Sequence, residues 1–363
     1  MLVCKLIQWI SNTCKQACRL CRTKAASFVG LAMLAAIVGS GMAKNSEPSD
    51  PRDQKAAVAL TPSLVVGTEA CAKCHAAEIN VWKQTPHHET FLTLHRKPQA
   101  QEIAMKMGIS SFKHDSACIK CHYSIQEQPK GLEPIAGVSC ESCHGAAKNW
   151  VEIHHDYGGT GVKRDQESPQ HRQQRLVSSI AAGMRNPANV YLVAQSCYRC
   201  HTVPDEKLVN VGGHVAGSLN FELVAWSQGK IRHNFVRSDG HENLPSTPER
   251  RRLMFLSGMI ADLEFSLRAT ALATAKDTFG TTSASRASRA AKRLTAAQSK
   301  LHQPLLDSII NAANNVQLKL NNREKLTVAA DEIAELGIRF AATVDASTLE
   351  DIDPFIPAAD QWK

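Results

Sequence analysis

The sequence predicts a mainly α-helical protein in two parts: short helices and loops at residues 65–245, then an α-helical C-terminal domain at residues 246–363. The first part contains four runs of the form C-x-x-C-H and 14 of the 15 histidines of the chain. The second part has no cysteine, and its apolar residues recur every three or four positions. That spacing places them on one face of a helix.

The four C-x-x-C-H runs are the strongest chemical signal. They are Cys71, Cys74 and His75; Cys118, Cys121 and His122; Cys140, Cys143 and His144; and Cys197, Cys200 and His201. In such a run the two thiols add to the vinyl groups of one haem, and the histidine binds its iron. Paired C-x-x-C runs also hold zinc, but a zinc ribbon needs no histidine after each pair. We therefore interpret this region as a tetrahaem cytochrome c with four covalently bound c-type haems.

Ten other histidines between positions 75 and 241 are candidates for the opposite face of each iron. His87 directly follows Pro86, whose ring fixes the backbone ahead of it. His154 and His155 come ten and eleven residues after the third motif histidine. These positions suit ligands that must be held at a defined angle.

Two more candidates follow the fourth motif. His214 lies beside a glycine-rich turn, and His233 ends an amphipathic stretch. Met105 and Met107 are alternatives because methionine also ligates haem iron. Methionine at helical spacing is more often part of a core, so we favour the histidines.

Residues 65–245 contain few large apolar runs for their length. Four macrocycles can replace the missing core, with short helices and loops wrapped around them and little or no sheet. Such a region is expected to fold poorly without its haems.

Two stretches resemble the tetrahaem cytochrome c-554 family. They are the third motif in its context GVSCESCHG, and the first motif followed by Trp82 and the run TPHH at residues 85–88. The resemblance covers about residues 65–243. It implies closely stacked haem pairs and electron transfer, and it has no counterpart for the C-terminal helices.

The resemblance also implies a ligand map. By position, His87 would bind the iron of the third haem, and His154, with His155 as the second choice, that of the first. His233 would bind the iron of the fourth haem.

For the second haem, the resemblance implies a five-coordinate iron with an open face. Here His214 or His114 could fill that face. We expect a carrier that moves electrons between redox-partner proteins, because two histidines leave an iron no place for a substrate. The alternative is an oxidoreductase acting on a small nitrogen oxide or hydroxylamine at an open second haem, so whether the chain is an enzyme stays open.

The N-terminal stretch indicates export. Residues 1–43 hold five basic residues and no acidic one, and they include an apolar run at residues 25–42. This layout predicts a signal peptide or, alternatively, a membrane anchor. Residues 44–64 read as a linker, and the expected location is the periplasm, where haem attachment takes place.

The formal charge of +8 does not indicate a nucleic-acid partner. Without residues 1–43 the charge is 8 − 5 = +3. Four haems add about eight propionate carboxylates, which are ionised at neutral pH. The holoprotein is therefore expected to be acidic.

The C-terminal domain repeats an apolar stripe that starts at Leu253, Leu256, Ile260, Leu263 and Leu267. Breaks are expected at residues 278–283, at Pro304 and at Asn321-Asn322. We predict three to four antiparallel helices that form either a bundle within the chain or a coiled-coil arm for oligomerisation. Either form could attach the haem region to a partner.

Overall fold

The computed structural model describes residues 60–363. The predicted signal peptide or anchor at residues 1–43 and most of the linker lie outside the described residues. Within residues 60–363, no helix combines the length and the apolar character needed to cross a membrane.

The first part of the described chain consists of short helices, as predicted. They are α1 Thr68–Ala72, α2 Ala76–Trp82, α3 Pro86–Thr93, α4 Pro98–Met107, α5 Ser116–His122, α6 Cys140–His144, α7 Pro169–Ala181, α8 Val190–His201, α9 Glu206–Asn210 and α10 Leu223–Ser227. The mainly α-helical class is confirmed.

Several of these helices begin at a side chain that accepts a backbone N–H. Thr85 accepts from His88, Asp115 from Ala117, and Asn189 from Tyr191. Such caps satisfy donors that have no partner inside the helix. They fix where α3, α5 and α8 start, and these three helices carry His87, His122 and His201, which the sequence predicts as iron ligands.

One antiparallel hairpin lies between the second and third motifs. Strand β1, Ser124–Gln128, pairs with β2, Gly131–Ala136, and Gln128 lies opposite Gly131 at the turn. The side chain of Ser124 donates to the carbonyl of Gly137 at 2.8 Å and also contacts Ser139 and Ser142. The hairpin therefore brings the end of α5 close to the start of α6.

Four long helices form the C-terminal part: α11 Pro248–Leu272, α12 Thr278–Leu301, α13 Pro304–Asn314 and α14 Arg323–Thr343. A 3-10 segment, Ala346–Phe355, follows them. The expected break at residues 278–283 is wrong, because α12 begins at Thr278. The turn lies at residues 273–277, and Asp277 caps the helix.

Helix α11 lies at the centre of this part. It packs against α12, α14, α8 and the segment Ala346–Phe355, and most of its side chains are buried. The same apolar core takes in Tyr191 and Tyr198 of α8 and Phe221 just before α10. The helix that carries the fourth motif is therefore packed directly on the C-terminal helices.

Candidate haem sites

Each C-x-x-C-H motif lies in or beside a helical turn. The second motif ends α5, the third motif is α6, and the fourth ends α8. In the first motif the backbone N–H of His75 donates to the carbonyl of Cys71 at 2.9 Å. Residues three apart on a turn share one side of it, so both thiols of each motif can reach one macrocycle.

Each motif histidine also faces one histidine from a distant part of the chain. The ring centres are separated by 6.3 Å for His75 and His154, 6.5 Å for His122 and His214, 6.2 Å for His144 and His233, and 6.4 Å for His201 and His87. The four separations are nearly equal although the chain connections differ.

This separation fits a metal held between two imidazoles. A first-row metal lies about 2.0 Å from an imidazole nitrogen, so two rings that share one metal have centres roughly 6.3 Å apart. Within residues 60–363, no group of three or more His, Cys, Asp or Glu side chains is placed to hold a bare metal ion. Each pair offers two axial ligands, which suits an iron whose other four ligands come from a porphyrin.

Backbone carbonyls orient three of the four distant histidines. The Nδ1 of His154 lies 2.5 Å from the carbonyl of Val151, and the Nδ1 of His233 lies 2.6 Å from that of Ile231. The Nδ1 of His214 lies 2.9 Å from the carbonyl of its neighbour Val215. A carbonyl only accepts, so Nδ1 carries the proton and the lone pair of Nε2 stays free for iron.

Burial keeps five of these imidazoles neutral. It lowers the pKa of His122, His144 and His201 to about 4, and it also lowers the pKa of His87 and His154. Desolvation disfavours the charged form of a base. At neutral pH these rings therefore present a lone pair rather than a second N–H.

Several buried donors near the histidine pairs have no hydrogen-bond partner among the described residues. They include Tyr123 Oη, Trp150 Nε1, Arg199 Nε, Trp226 Nε1 and Arg232 Nε. The ring of Trp150 lies 5.3 Å from that of His154, and the ring of Trp226 lies 6.0 Å from that of His201. An unpaired buried donor is costly. The propionate carboxylates of a haem would supply acceptors for these donors, so the residues around the histidine pairs fit a bound haem.

The motifs lie in the spatial order one, three, four, two. The thiols of Cys71 and Cys140 are neighbours, and the pKa of Cys71 is lowered by the proximity of Cys140. Ser196, in α8 next to the fourth motif, donates to the carbonyl of Cys143 at 2.9 Å. Arg199 of the fourth motif donates to the carbonyl of Lys120 in the second at 3.4 Å.

The buried carboxylate of Glu141, inside the third motif, joins that motif to the chain before the first one. It accepts from the backbone N–H groups of Val66 at 3.0 Å, Gly67 at 2.9 Å and Ala147 at 2.8 Å. Three donors are enough to compensate a buried charge. No wider sequence pattern marks Glu141, and its place between the two cysteines of a motif is the usable signal.

A second polar arrangement supports His154. Arg175 in α7 donates to the backbone carbonyl of His154 at 2.7 Å and is held by two hydrogen bonds to Glu167. The Arg175 hydrogen bond lowers the pKa of Glu167 to about 2. No local motif marks either residue, so the sequence could not reveal this role.

The structure corrects the pairing that the resemblance implied for two histidines. His87 faces His201 of the fourth motif, not His144, and His233 faces His144, not His201. The backbone carbonyl of His87 accepts from Val138, just before the third motif. Its carbonyl is thus directed to the third motif, and its ring extends towards α8.

The second motif histidine also has a facing ring, which the resemblance left open. His214 fills that position, while the other candidate, His114, is exposed. Met105 is 77% exposed. The ring of His155 lies 5.1 Å from that of His154, and it is His154 that faces His75.

Cysteine pairs followed by histidine, on a mainly helical frame with a second histidine opposite each motif, define a c-type cytochrome arrangement. Residues 70–145 match the family described as Cytochrome c554 and c-prime, which takes in the first three motifs. The chain is also 31% identical over 114 residues to Cytochrome c-554 of Nitrosomonas europaea. These matches make the stretch with the first three motifs similar to the cytochrome c-554 family.

The match to that relative is partial. It covers 28% of this chain and 47% of the relative, so the chain spans about half the length of the curated protein it matches. No solved structure matches the chain. The family match ends one residue after His144, so the fourth motif and the C-terminal helices lie outside it.

Proposed function

We propose that this chain is an exported, periplasmic tetrahaem cytochrome c that carries electrons between redox-partner proteins. Haem iron, when bound, supplies reversible one-electron chemistry. The eight motif cysteines anchor the four haems. His75, His122, His144 and His201 bind the irons from one side, and His154, His214, His233 and His87 bind them from the other.

The single observation that carries this proposal is the set of four facing histidine pairs, with ring centres 6.2–6.5 Å apart. One such pair could be fortuitous packing. Four pairs, each joining one motif histidine to one distant histidine, are what four axially ligated irons require.

The order of the motifs supports a route for the electrons. Contacts join the first to the third motif, the third to the fourth, and the fourth to the second. We propose that electrons follow this order, so that the first and second sites are the ends at which partner proteins dock. The chain's own part is to hold neighbouring haems close and to exclude water.

His214 argues against the alternative enzyme function. An oxidoreductase acting on a nitrogen oxide or hydroxylamine needs an iron with a free face. The ring of His214 faces that of His122 at 6.5 Å, and its Nδ1 is fixed by a carbonyl. This arrangement favours a carrier over an enzyme.

Export is proposed because covalent haem attachment takes place outside the cytoplasm in bacteria, and because residues 1–43 have the layout of a signal peptide. The segment at residues 25–42 could instead anchor the protein. Sequencing the N-terminus of the exported protein distinguishes the two.

A reductive titration under carbon monoxide tests the proposed function. We expect about four reducing equivalents per chain and no carbon monoxide complex, because every ferrous iron keeps two histidines. A stoichiometric carbon monoxide complex at one haem would instead support the enzyme alternative.

A further inference from the structure

The residues that carry His214 are attached to the C-terminal helices. His214 lies in a loop at residues 211–219 that directly follows the short helix α9, and α9 packs against α12. These residues and the C-terminal helices all lie outside the family match at residues 70–145.

Polar contacts fix α9 at both ends. The carboxylate of Glu206 accepts from the backbone N–H and the hydroxyl of Thr274, at 2.9 and 2.7 Å, and from the N–H of Ala275 at 3.1 Å. The side-chain oxygen of Asn210 accepts from the N–H of Phe279, at the start of α12, at 2.9 Å. The turn between α11 and α12 therefore uses its free backbone donors to hold α9.

An apolar contact lies between these two anchors. Val209 of α9 and Phe279 of α12 are both buried, and they share a cluster with Ala269 and Ala273. Ala216, from the loop itself, packs against this cluster. The loop is therefore held on both sides of His214.

Arg286 of α12 forms the last contact. Its guanidinium is buried beside Asp262 of α11 and donates to the carbonyls of His201 and Ser218, both at 3.2 Å. The N–H of Ser218 donates to the same His201 carbonyl at 2.8 Å. One side chain thus ties the end of the His214 loop to the fourth motif.

The loop is shaped to admit this side chain. Gly217 has a φ of +84°, and a Cβ at this position would lie 2.9 Å from Nη1 of Arg286. Both the backbone conformation and the close approach require glycine. A buried charged pair is costly unless its hydrogen bonds are made, so a specific geometry is maintained here.

We propose that the C-terminal helices close the second haem site by holding His214 opposite His122, with Arg286 as the positioning residue. The inference rests on the proposed ligation by these two histidines. It assigns the C-terminal helices a function: they determine that the second iron has two protein ligands instead of an open face.

The variant Arg286→Gln, made in the full haem-loaded chain, tests this. We expect one of four haems to gain a high-spin ferric signal and to bind carbon monoxide when reduced. Arg286→Lys, which retains the charge, is expected to recover most of the low-spin signal. Arg289→Gln changes an exposed residue of the same helix and is expected to leave all four haems low-spin.

A second variant covers the case in which Arg286→Gln leaves Asp262 buried without its partner and does not fold. Glu206→Ala removes the partly exposed anchor of α9 and is expected to give the same new high-spin signal, with secondary structure unchanged by circular dichroism. If folded Arg286→Gln and Glu206→Ala both keep four low-spin haems, the proposal is overturned.

The variant His214→Ala separates this outcome from a failure of the proposed function. A high-spin second haem in His214→Ala, with no change in the other two variants, rejects only the role of the C-terminal helices. No change in His214→Ala rejects the ligation itself, and the inference with it.

Discussion

At the scale of single residues, the angles between facing imidazoles distinguish the sites. The ring planes of His144 and His233 are perpendicular, at 90°, whereas those of His75 and His154 differ by 26°. Perpendicular axial imidazole planes would bring the dxz and dyz orbitals of a bound ferric iron close in energy, and this gives a low-spin electron paramagnetic resonance signal with a large principal g value. Near-parallel planes produce a rhombic signal.

This difference tests the corrected pairing. His233→Ala is expected to remove the signal of largest g value and to create a high-spin haem, because His233 belongs to the perpendicular pair. His87→Ala is expected to leave that signal in place and to convert a different haem from low spin to high spin. The pairing would be wrong if His87→Ala abolished the large-g signal.

His154→Ala is expected to remove the rhombic signal of the near-parallel pair. His155→Ala provides the matched control, because its ring is the more exposed of two adjacent imidazoles. A rhombic signal lost only in the His155 variant would reverse the assignment of this ligand.

The support of His154 by Glu167 and Arg175 predicts a pH dependence. The folded-state pKa of Glu167 is about 2, below its ordinary value of 4.5. A lowered carboxyl pKa adds stability that is complete above the ordinary value and is lost as the pH falls towards the folded value. The free energy of unfolding should therefore exceed that of Glu167→Gln at neutral pH, and the difference should shrink as the pH falls from about 4.5 to 2.

Guanidinium unfolding at several pH values, followed by haem absorbance, measures this difference. Glu152→Gln is the control, because Glu152 is exposed and makes only a surface contact with His155. A difference for Glu167→Gln that stayed constant down to pH 2 would contradict the role of the ion pair.

At the scale of elements, α8 and α14 approach each other very closely at one point. The ring of Tyr191 lies directly against Gly337, where a Cβ would be 2.4 Å from Cζ. The hydroxyl of Tyr191 donates to the buried carboxylate of Glu264 at 2.6 Å, so the ring cannot move away freely. A side chain at position 337 would have to displace α14 from the helix of the fourth motif.

Gly337→Ala is therefore expected to lower the free energy of unfolding despite the better helix propensity of alanine. Overpacking of this kind costs about 1–3 kcal/mol. Val328→Ala, at an exposed position of the same helix, should change the free energy of unfolding far less. Denaturant titration compares the two, and a Gly337→Ala protein as stable as the parent would disprove the close contact.

The sequence predicted the helical elements well where local signals decide them. Pro304 opens α13 as expected, and Asn321-Asn322 directly precedes α14. The threonine- and serine-rich stretch at residues 278–283 read as a break, but it forms the first turns of α12. Asp277 caps it, and the backbone N–H of Phe279 donates to the distant Asn210, a contact that the local composition could not reveal.

At the scale of the whole molecule, the motif residues could be predicted from their spacing, because covalent haem attachment requires a fixed order of cysteines and histidine. The facing histidines could be named but not paired from sequence. Each pair joins segments far apart in the chain, and nothing local shows that the ring of His87 is directed to α8 rather than α6. The role of Arg286 was equally hidden, because it depends on four separate segments meeting.

The central claim is that four haem irons each lie between two named histidines. Spin quantitation by electron paramagnetic resonance, on fully oxidised protein whose haem content is measured in the same sample, tests this most directly. We predict four low-spin ferric haems per chain, one of them with a large principal g value, and no high-spin signal. A stoichiometric high-spin haem, or fewer than four haems per chain, would contradict the account.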